Sequence, residues 1–539
     1  MNRLRVLLVL ALPGAGFLGG SLPGRVASPA DAQTDSYYEV VFRVPVGPDG
    51  VHYEGGESPD TMRWGPQAFA VAPDGTFWIA DSAAEPAQIL SFTPEGELVG
   101  RIQLSGTVVG VSDIEVDDSQ IVLLDEASLP PKVILLSIDG TLVGRYDIPA
   151  ERRHPGGVTG IALGDGGEVT LEWALGETLT QLIDARGQVT WSDLDGYLQD
   201  GRLYLGDPVN IMSEVTNSGA VSANGRTVEI QVSHQLAGLR ILGINDDGSF
   251  YVLADDLISG PAFEVDQTIH QYSLQGDLVG STRVPEEVRY APVAHELALG
   301  PDGSVYMMRA QPQYVEILLL AFAEELAPLE PPRAAENESL VAAPSAFSPT
   351  ACRTRDSMVS VGTSYLNNTR YLDSYHINDN PNCGGRLKPH YLGGPGTYPS
   401  VSYDWGGWDS PSSFNTYMGQ SGYFAGDING SPEGCSRGTD CAGLISRAWA
   451  LDQRYGTSPL YSQWSTPLGS TGELQRGDIM IRIAPPAHVI MYRSTTGFGM
   501  YGYESTILLN YDRVIDTTRD WGWLAGNGYT PRKYIYVCS

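Results

Sequence analysis

The 539-residue sequence has little lysine, no cysteine before Cys352 and no long apolar run beyond its first residues. Each shortage excludes something. Lysine occurs only at Lys132, Lys388 and Lys533, and 33 basic residues against 64 acidic give a formal charge of −31. A surface of that sign repels nucleic acid and anionic lipid, so neither is an expected partner. After the leader no stretch reaches the roughly 18–20 apolar residues of a membrane helix, so no membrane insertion is expected. The histidines of the first half (His52, His154, His234, His270, His295) show no metal-ligand spacing, and no Asp-Gly pair sits in a calcium loop. No metal and no other cofactor is expected.

The charge is unevenly placed. From Thr350 onward 15 basic and 15 acidic residues balance, so the preceding part carries the whole excess. At the start, Arg3 and Arg5 precede a short apolar core at residues 6–12, and Ala30-Asp31-Ala32 offers a small-x-small cleavage site. Residues 1–32 therefore read as a cleaved signal peptide, and the protein as secreted or periplasmic.

From residue 36 to 325 the chain repeats itself. Gly-x-Leu-Val-Gly stands at 96–100, 140–144 and 276–280, with a weaker copy at Gly187. Asp-Gly-Thr/Ser turns stand at 74–76, 247–249 and 302–304, each between stretches of apolar alternation. Alternation, an Asp-Gly turn and more alternation make a hairpin. The marker glycines at 96, 140 and 187 are 44 and 47 residues apart, and the next gap, 89, is about two periods. A period in the mid-forties built of four strands is a propeller blade, and this length holds about six. Two blades between about 190 and 240 are expected to be degenerate, and the early strand at residues 39–44 could complete the last blade. The repeats resemble NHL-type six-bladed propellers, which implies a binding or positioning platform whose ligand the sequence does not name. Residues 326–350, rich in Pro, Ala, Glu and Ser, read as an interdomain linker.

Residues 351–539 differ in character. At 439–449 two capping residues, Thr439 and Asp440, precede Cys441, and Leu444, Ile445, Ala448 and Trp449 follow at helical spacing. The pattern predicts a helix with Cys441 at its N-terminus, ending near Tyr455-Gly456; unpaired N–H groups and the macrodipole favour a thiolate there. A further helix is predicted over 353–367, and a disulfide-clipped insertion over 378–430. Five cysteines in an exported domain leave one thiol outside the bridges. The preferred pairing is Cys352 with Cys538 and Cys383 with Cys435. The sequence does not fix it, and a Cys435–Cys441 bridge would remove the candidate nucleophile.

Residues 487–492 read as a strand placing His488, Ile490 and Tyr492 on one face, followed by a turn and a strand from Tyr501. A hairpin centred on Thr496 puts Glu504 directly opposite His488. A cysteine nucleophile needs a base, and the base a third group to fix its tautomer; Cys441, His488 and Glu504 supply these roles.

On these motifs the C-terminal part resembles the NlpC/P60 superfamily of papain-like cysteine hydrolases. Asp440-Cys441-Ala442-Gly443-Leu444-Ile445 is similar to its Asp-Cys-Ser-Gly motif, Gly477-Asp478-Ile479 to its Gly-Asp-Leu turn and His488-Val489-Ile490-Met491-Tyr492 to its histidine strand. Tyr403-Asp404-Trp405-Gly406-Gly407 resembles its Tyr-x-Trp-Gly-Gly segment. The resemblance implies an α+β papain-like domain after an all-β propeller. It also implies amide hydrolysis through a thioester, in peptidoglycan stem peptides or another cell-wall peptide, with Tyr403 and Asp440 at the substrate. The chain departs from the family in having Ala442 for Ser, a longer segment before the cysteine, and Glu504 in the third position, with Asn510 and Asp512 as other candidates. Two alternatives stand beside this: a binding or adhesion protein with a silent papain-like domain, and an acyltransferase using the same cysteine.

Overall fold

A computed structural model describes residues 37–326 and 352–538, apart from 56–61, 205–216, 259–262, 286–288, 380–381 and a few shorter loop positions. The expected signal peptide and linker lie outside the described residues.

Turn chemistry builds the first half. The turn glycines take left-handed φ values, 83° at Gly75, 84° at Gly248 and 82° at Gly303, which glycine adopts without steric cost. The preceding aspartate closes each turn. Asp74 Oδ1 accepts from the backbone N of Thr76 at 2.9 Å and from its hydroxyl at 2.7 Å, and Asp302 accepts from Ser304 in the same way. The Thr76 hydroxyl and amide hold the Asp74 carboxyl below its usual range. These aspartates serve their own turns.

Among the described residues, hairpins joined this way form five four-stranded antiparallel sheets, with strands inside residues 68–103, 111–147, 158–194, 235–283 and 297–320. The last sheet has three strands of its own and takes Tyr38–Pro45 as its fourth, antiparallel to Tyr314–Leu320 with Val44 opposite Val315. The N-terminal strand thus closes the ring. These sheets are the blades of a β-propeller. Where two degenerate blades were expected, the described residues hold one blade's worth of strands in two separate hairpins. Tyr197–Gln199 pairs with Arg202–Tyr204, and Ser218–Ala223 with Arg226–Gln231. This stretch lacks the Gly-x-Leu-Val-Gly turn that joins the third and fourth strands in three of the sheets.

The C-terminal part is organised on a six-stranded antiparallel sheet, in the spatial order 465–467, 530–534, 479–482, 488–495, 499–506, 513–520. Alternation gives it two buried faces. Ile479, Ile481, Val489, Met491, Tyr503 and Val514 pack on the helices Arg355–Leu366 and Cys441–Ala448. Met480, Ile490, Tyr492 and Met500 meet the short helix Trp521–Gly526 and three propeller residues, Ala237, Leu257 and Val265. A single core therefore crosses from one half to the other.

Polar contacts fix the same junction. Trp523 Nε1 donates to the Val293 carbonyl at 3.0 Å, Tyr511 Oη to Glu126 at 2.9 Å, and Thr518 Oγ1 to the Gly156 carbonyl at 2.9 Å. Asn510 Nδ2 reaches the Val109 carbonyl at 2.8 Å from a loop in which Leu509 and Asn510 have φ of 56° and 60°. The Leu509 carbonyl presses so close to Gly110 that any Cβ there would collide with it. Left-handed backbone at a leucine costs about 1 kcal/mol or more, which the docking contacts offset. No described helix is long and apolar enough to cross a membrane.

Candidate functional site

The Cys441 helix is built as its sequence dictates. Asp440 is the N-cap, with Oδ1 accepting from Gly443 N at 2.6 Å, and Leu444, Ile445, Ala448 and Trp449 are fully buried. The helix ends at Ala448, earlier than expected. Ala450 takes a left-handed φ of 55°, and its N–H caps the Arg447 carbonyl. A C-terminal reversal of that kind is normally signalled by glycine, and none stands here. The reversal returns the chain so that Arg454 pairs with Asp440, whose other oxygen also accepts from Gly406 N at 2.9 Å. The Asp440 carboxylate is thus engaged by a helix cap, a loop amide and a guanidinium. Gly443 has its own reason: a Cβ there would strike the Gly407 carbonyl oxygen.

That contact brings in the Tyr403–Gly407 segment. Tyr403 and Trp408 both bridge to Thr439, and Asp440 N donates to the Gly407 carbonyl at 3.1 Å. The long insertion between this segment and Cys441 leaves and returns at one place, and the Cys383–Cys435 disulfide ties it to the stretch before Tyr403. Tyr403 is buried with Met62 and Trp64 of the propeller. Burial, with the neighbouring Asp440 and Cys441 charges, raises its phenol pKa well above the usual range.

Four cysteines pair as preferred, Cys352 with Cys538 and Cys383 with Cys435, and Cys441 keeps its thiol. The first bridge ties the ends of the C-terminal part together.

His488 opens the strand His488–Thr495, and its Nε2 lies 2.7 Å from Glu504 Oε2. The pairing arises by a different register from the one expected. Met491 lies opposite Tyr503, so the sums run to 994 rather than 992 and Glu504 is the diagonal neighbour of His488. The reason is local. The turn is Thr496–Gly499, closed by Thr496 N to the Gly499 carbonyl at 2.9 Å, and a bulge beyond Tyr492 absorbs one more residue. Diagonal pairs on one sheet face remain within reach of long side chains.

Glu504 is also bound by Arg519, Nη2 to Oε1 at 2.7 Å, so each carboxylate oxygen has a donor. Burial alone would raise its pKa; Arg519 first and His488 second reverse this and hold it at about 2. Glu504 is an anion at every ordinary pH. Tyr529 lies beside this pair. Its ring meets His488 edge-on at 6.3 Å, and burial, with the Glu504 and Cys441 charges, raises its phenol pKa. Cys441, His488 and Glu504 are exposed by only 4, 2 and 1 %. Each of the three side chains is covered.

The other candidates for the third position are engaged elsewhere, Asn510 with the propeller backbone and Asp512 with His390 at 2.9 Å. Three supporting residues carry no sequence signal. Arg454, Arg519 and Tyr529 belong to no motif, and each reaches its partner through tertiary folding rather than through spacing.

No protein-family model and no curated protein sequence matches the chain. Solved structures similar to it include a member of the DUF4221 family from Bacteroides vulgatus, at 12% identity and a TM-score of 0.31, covering 51% of this chain and 99% of that one. Virginiamycin B lyase from Staphylococcus aureus is similar at 12% identity and 0.29, covering 50% and 99%. A glucose dehydrogenase follows at 14% and 0.26, covering 48% and 97%. At these scores the likenesses carry no inference about activity, and the propeller rests on the chain's own sheet topology.

Proposed function

We propose that the protein is an exported cysteine hydrolase of the NlpC/P60 kind, cleaving an amide bond in a cell-wall peptide, with the propeller as its binding or positioning module. The observation that carries this reading is the His488–Glu504 pair at 2.7 Å, in the same domain as the one cysteine left outside the disulfides, which opens a capped helix. Two disulfides fit an oxidising compartment.

In this mechanism Glu504 takes Nε2–H of His488, leaving Nδ1 as the basic nitrogen for the Cys441 proton. The Cys441 sulfur adds to the amide carbonyl, and the oxyanion is held by backbone N–H groups at the helix start. The C–N bond breaks as His488 returns the proton to the leaving amine. Water, deprotonated by His488, then cleaves the thioester and releases the acid. Arg519 acts through Glu504 and Arg454 through Asp440, as positioning residues.

The burial of all three residues favours one second reading, a binding protein with a silent papain-like domain. The test is a digest of purified peptidoglycan by the full chain and by Cys441→Ser, read by mass spectrometry. Fragments that vanish in the variant support the hydrolase and name its bond. No fragments, with Cys441 inert to iodoacetamide, would overturn it in favour of the binding protein. Fragments joined to an added amine would identify acyl transfer.

A further inference from the structure

The inner strands of the blades enclose a channel of about 990 Å³. At one end it is ringed by blade turns, among them those at Pro73, Asp117, Asn245 and Pro301. At the other end Thr518, Arg519 and Trp523 of the C-terminal part form its floor. Nine carboxylates line it against three arginines and two histidines.

The carboxylates near the floor are buried, as Asp113 is, or half-buried, as Glu126 and Glu172 are. Asp113 Oδ1 lies 3.7 Å from His295 Nδ1, Glu126 accepts from Tyr511, and Glu172 accepts from Thr159 at 2.9 Å. Gly160 lies among them: a Cβ built on it would touch Asp113, His295 and Glu172 at 3.4–3.6 Å. Burial raises the pKa of all three carboxyls, that of Glu126 to about 7. Arg519 is bound to Glu504 through one nitrogen, but its buried Nε has no hydrogen-bond partner among the described residues. A buried donor of this kind calls for an acceptor.

We propose that this channel binds a small organic cation of the amino-acid class, with its ammonium group among Asp113, Glu126 and Glu172 and a carbonyl or carboxylate oxygen on Arg519. The volume suits such a ligand, since small-molecule sites run from roughly 300 to 1,000 Å³. The lining favours an ammonium ion over a bare metal ion, because among the described residues no three His, Cys, Asp or Glu side chains converge as metal ligands. A free amino acid and the end of a peptide share this chemistry. The site is shared between the propeller and the floor supplied by the C-terminal part, and it does not depend on the hydrolase reading.

The test is calorimetric titration of the full chain with L-lysine, with the dipeptide Lys-Ala, and with calcium chloride as the inorganic arm. At least one organic probe should bind, and the tighter of the two identifies the source. Glu172→Gln should weaken it about tenfold, the effect of one lost charge-assisted contact. Gly160→Ala, which adds a methyl group to the floor at ordinary contact distances, should weaken it similarly even if Glu172→Gln fails to fold. Silence from both organic probes, equal affinity in folded variants, or a response to calcium alone would each overturn the proposal.

Discussion

Arg519 offers the sharpest test of how the candidate site is held together. It shares a buried carboxylate with His488, and Glu504 is only 1 % exposed. Replacing it by Met keeps the volume of the side chain and removes the charge. Stripping one partner from a buried ion pair costs about 3–5 kcal/mol, because the remaining charge stays desolvated. The pKa gives an independent figure. Arg519 and His488 together bring Glu504 from 4.5 to about 2, and at 1.36 kcal/mol per unit their joint effect amounts to roughly 3 kcal/mol, the larger part from Arg519. The folded pKa is depressed, so this stability is present above pH 4.5 and is lost as pH falls towards 2. Arg519→Met should therefore lower the melting temperature strongly at pH 7 and much less at pH 3. The double variant Arg519→Met/Glu504→Gln should recover most of the loss, since a neutral amide needs no guanidinium. Thermal melts of the four proteins at both pH values decide the matter. An equal loss at both pH values, or no recovery in the double variant, would refute the argument that Arg519 works by compensating a buried carboxylate.

Glu504→Gln strands Arg519 and should cost stability on the scale of Arg519→Met. Assayed below its melting range, it should reduce peptidoglycan cleavage by about 10²-fold or more, with KM little changed, because the base loses its orienting anion; equal loss in both parameters would point to binding instead. Asp440→Ala removes a helix cap and strands Arg454, so urea melts should show a loss of about 2–4 kcal/mol. Trp523→Ala, in the core shared by the two halves, should cost about 3–5 kcal/mol and expose the junction to limited proteolysis. His390 pairs with Asp512 beside Glu54, whose own pKa burial raises to about 7; despite the opposing effect of burial, Asp512 above all raises the His390 pKa to about 9. With the folded value above the unfolded 6.5, its contribution is complete below pH 6.5 and is lost as pH rises through 9. His390→Asn should flatten the alkaline limb of the melting profile.

The sequence by itself determined the elements whose causes are local. The Asp-Gly turns needed left-handed glycine and found it at Gly75, Gly248 and Gly303. The cap, the apolar spacing and the thiol position of the Cys441 helix followed from residues within one turn of each other. Its end did not, because a left-handed Ala450 is stabilised by what surrounds it and by no residue preference of its own. The His488–Glu504 pairing was legible as a shared sheet face, whereas its diagonal register was set by a turn centred beyond Thr496 and a bulge that together shift the pairing by one residue. Tertiary structure alone decided the rest. Arg454, Arg519 and Tyr529 come to the site from separate elements, and the docking of the C-terminal sheet on the propeller joins residues hundreds of positions apart. Such contacts depend on the fit of two finished surfaces, and neither spacing nor periodicity along the chain encodes that fit.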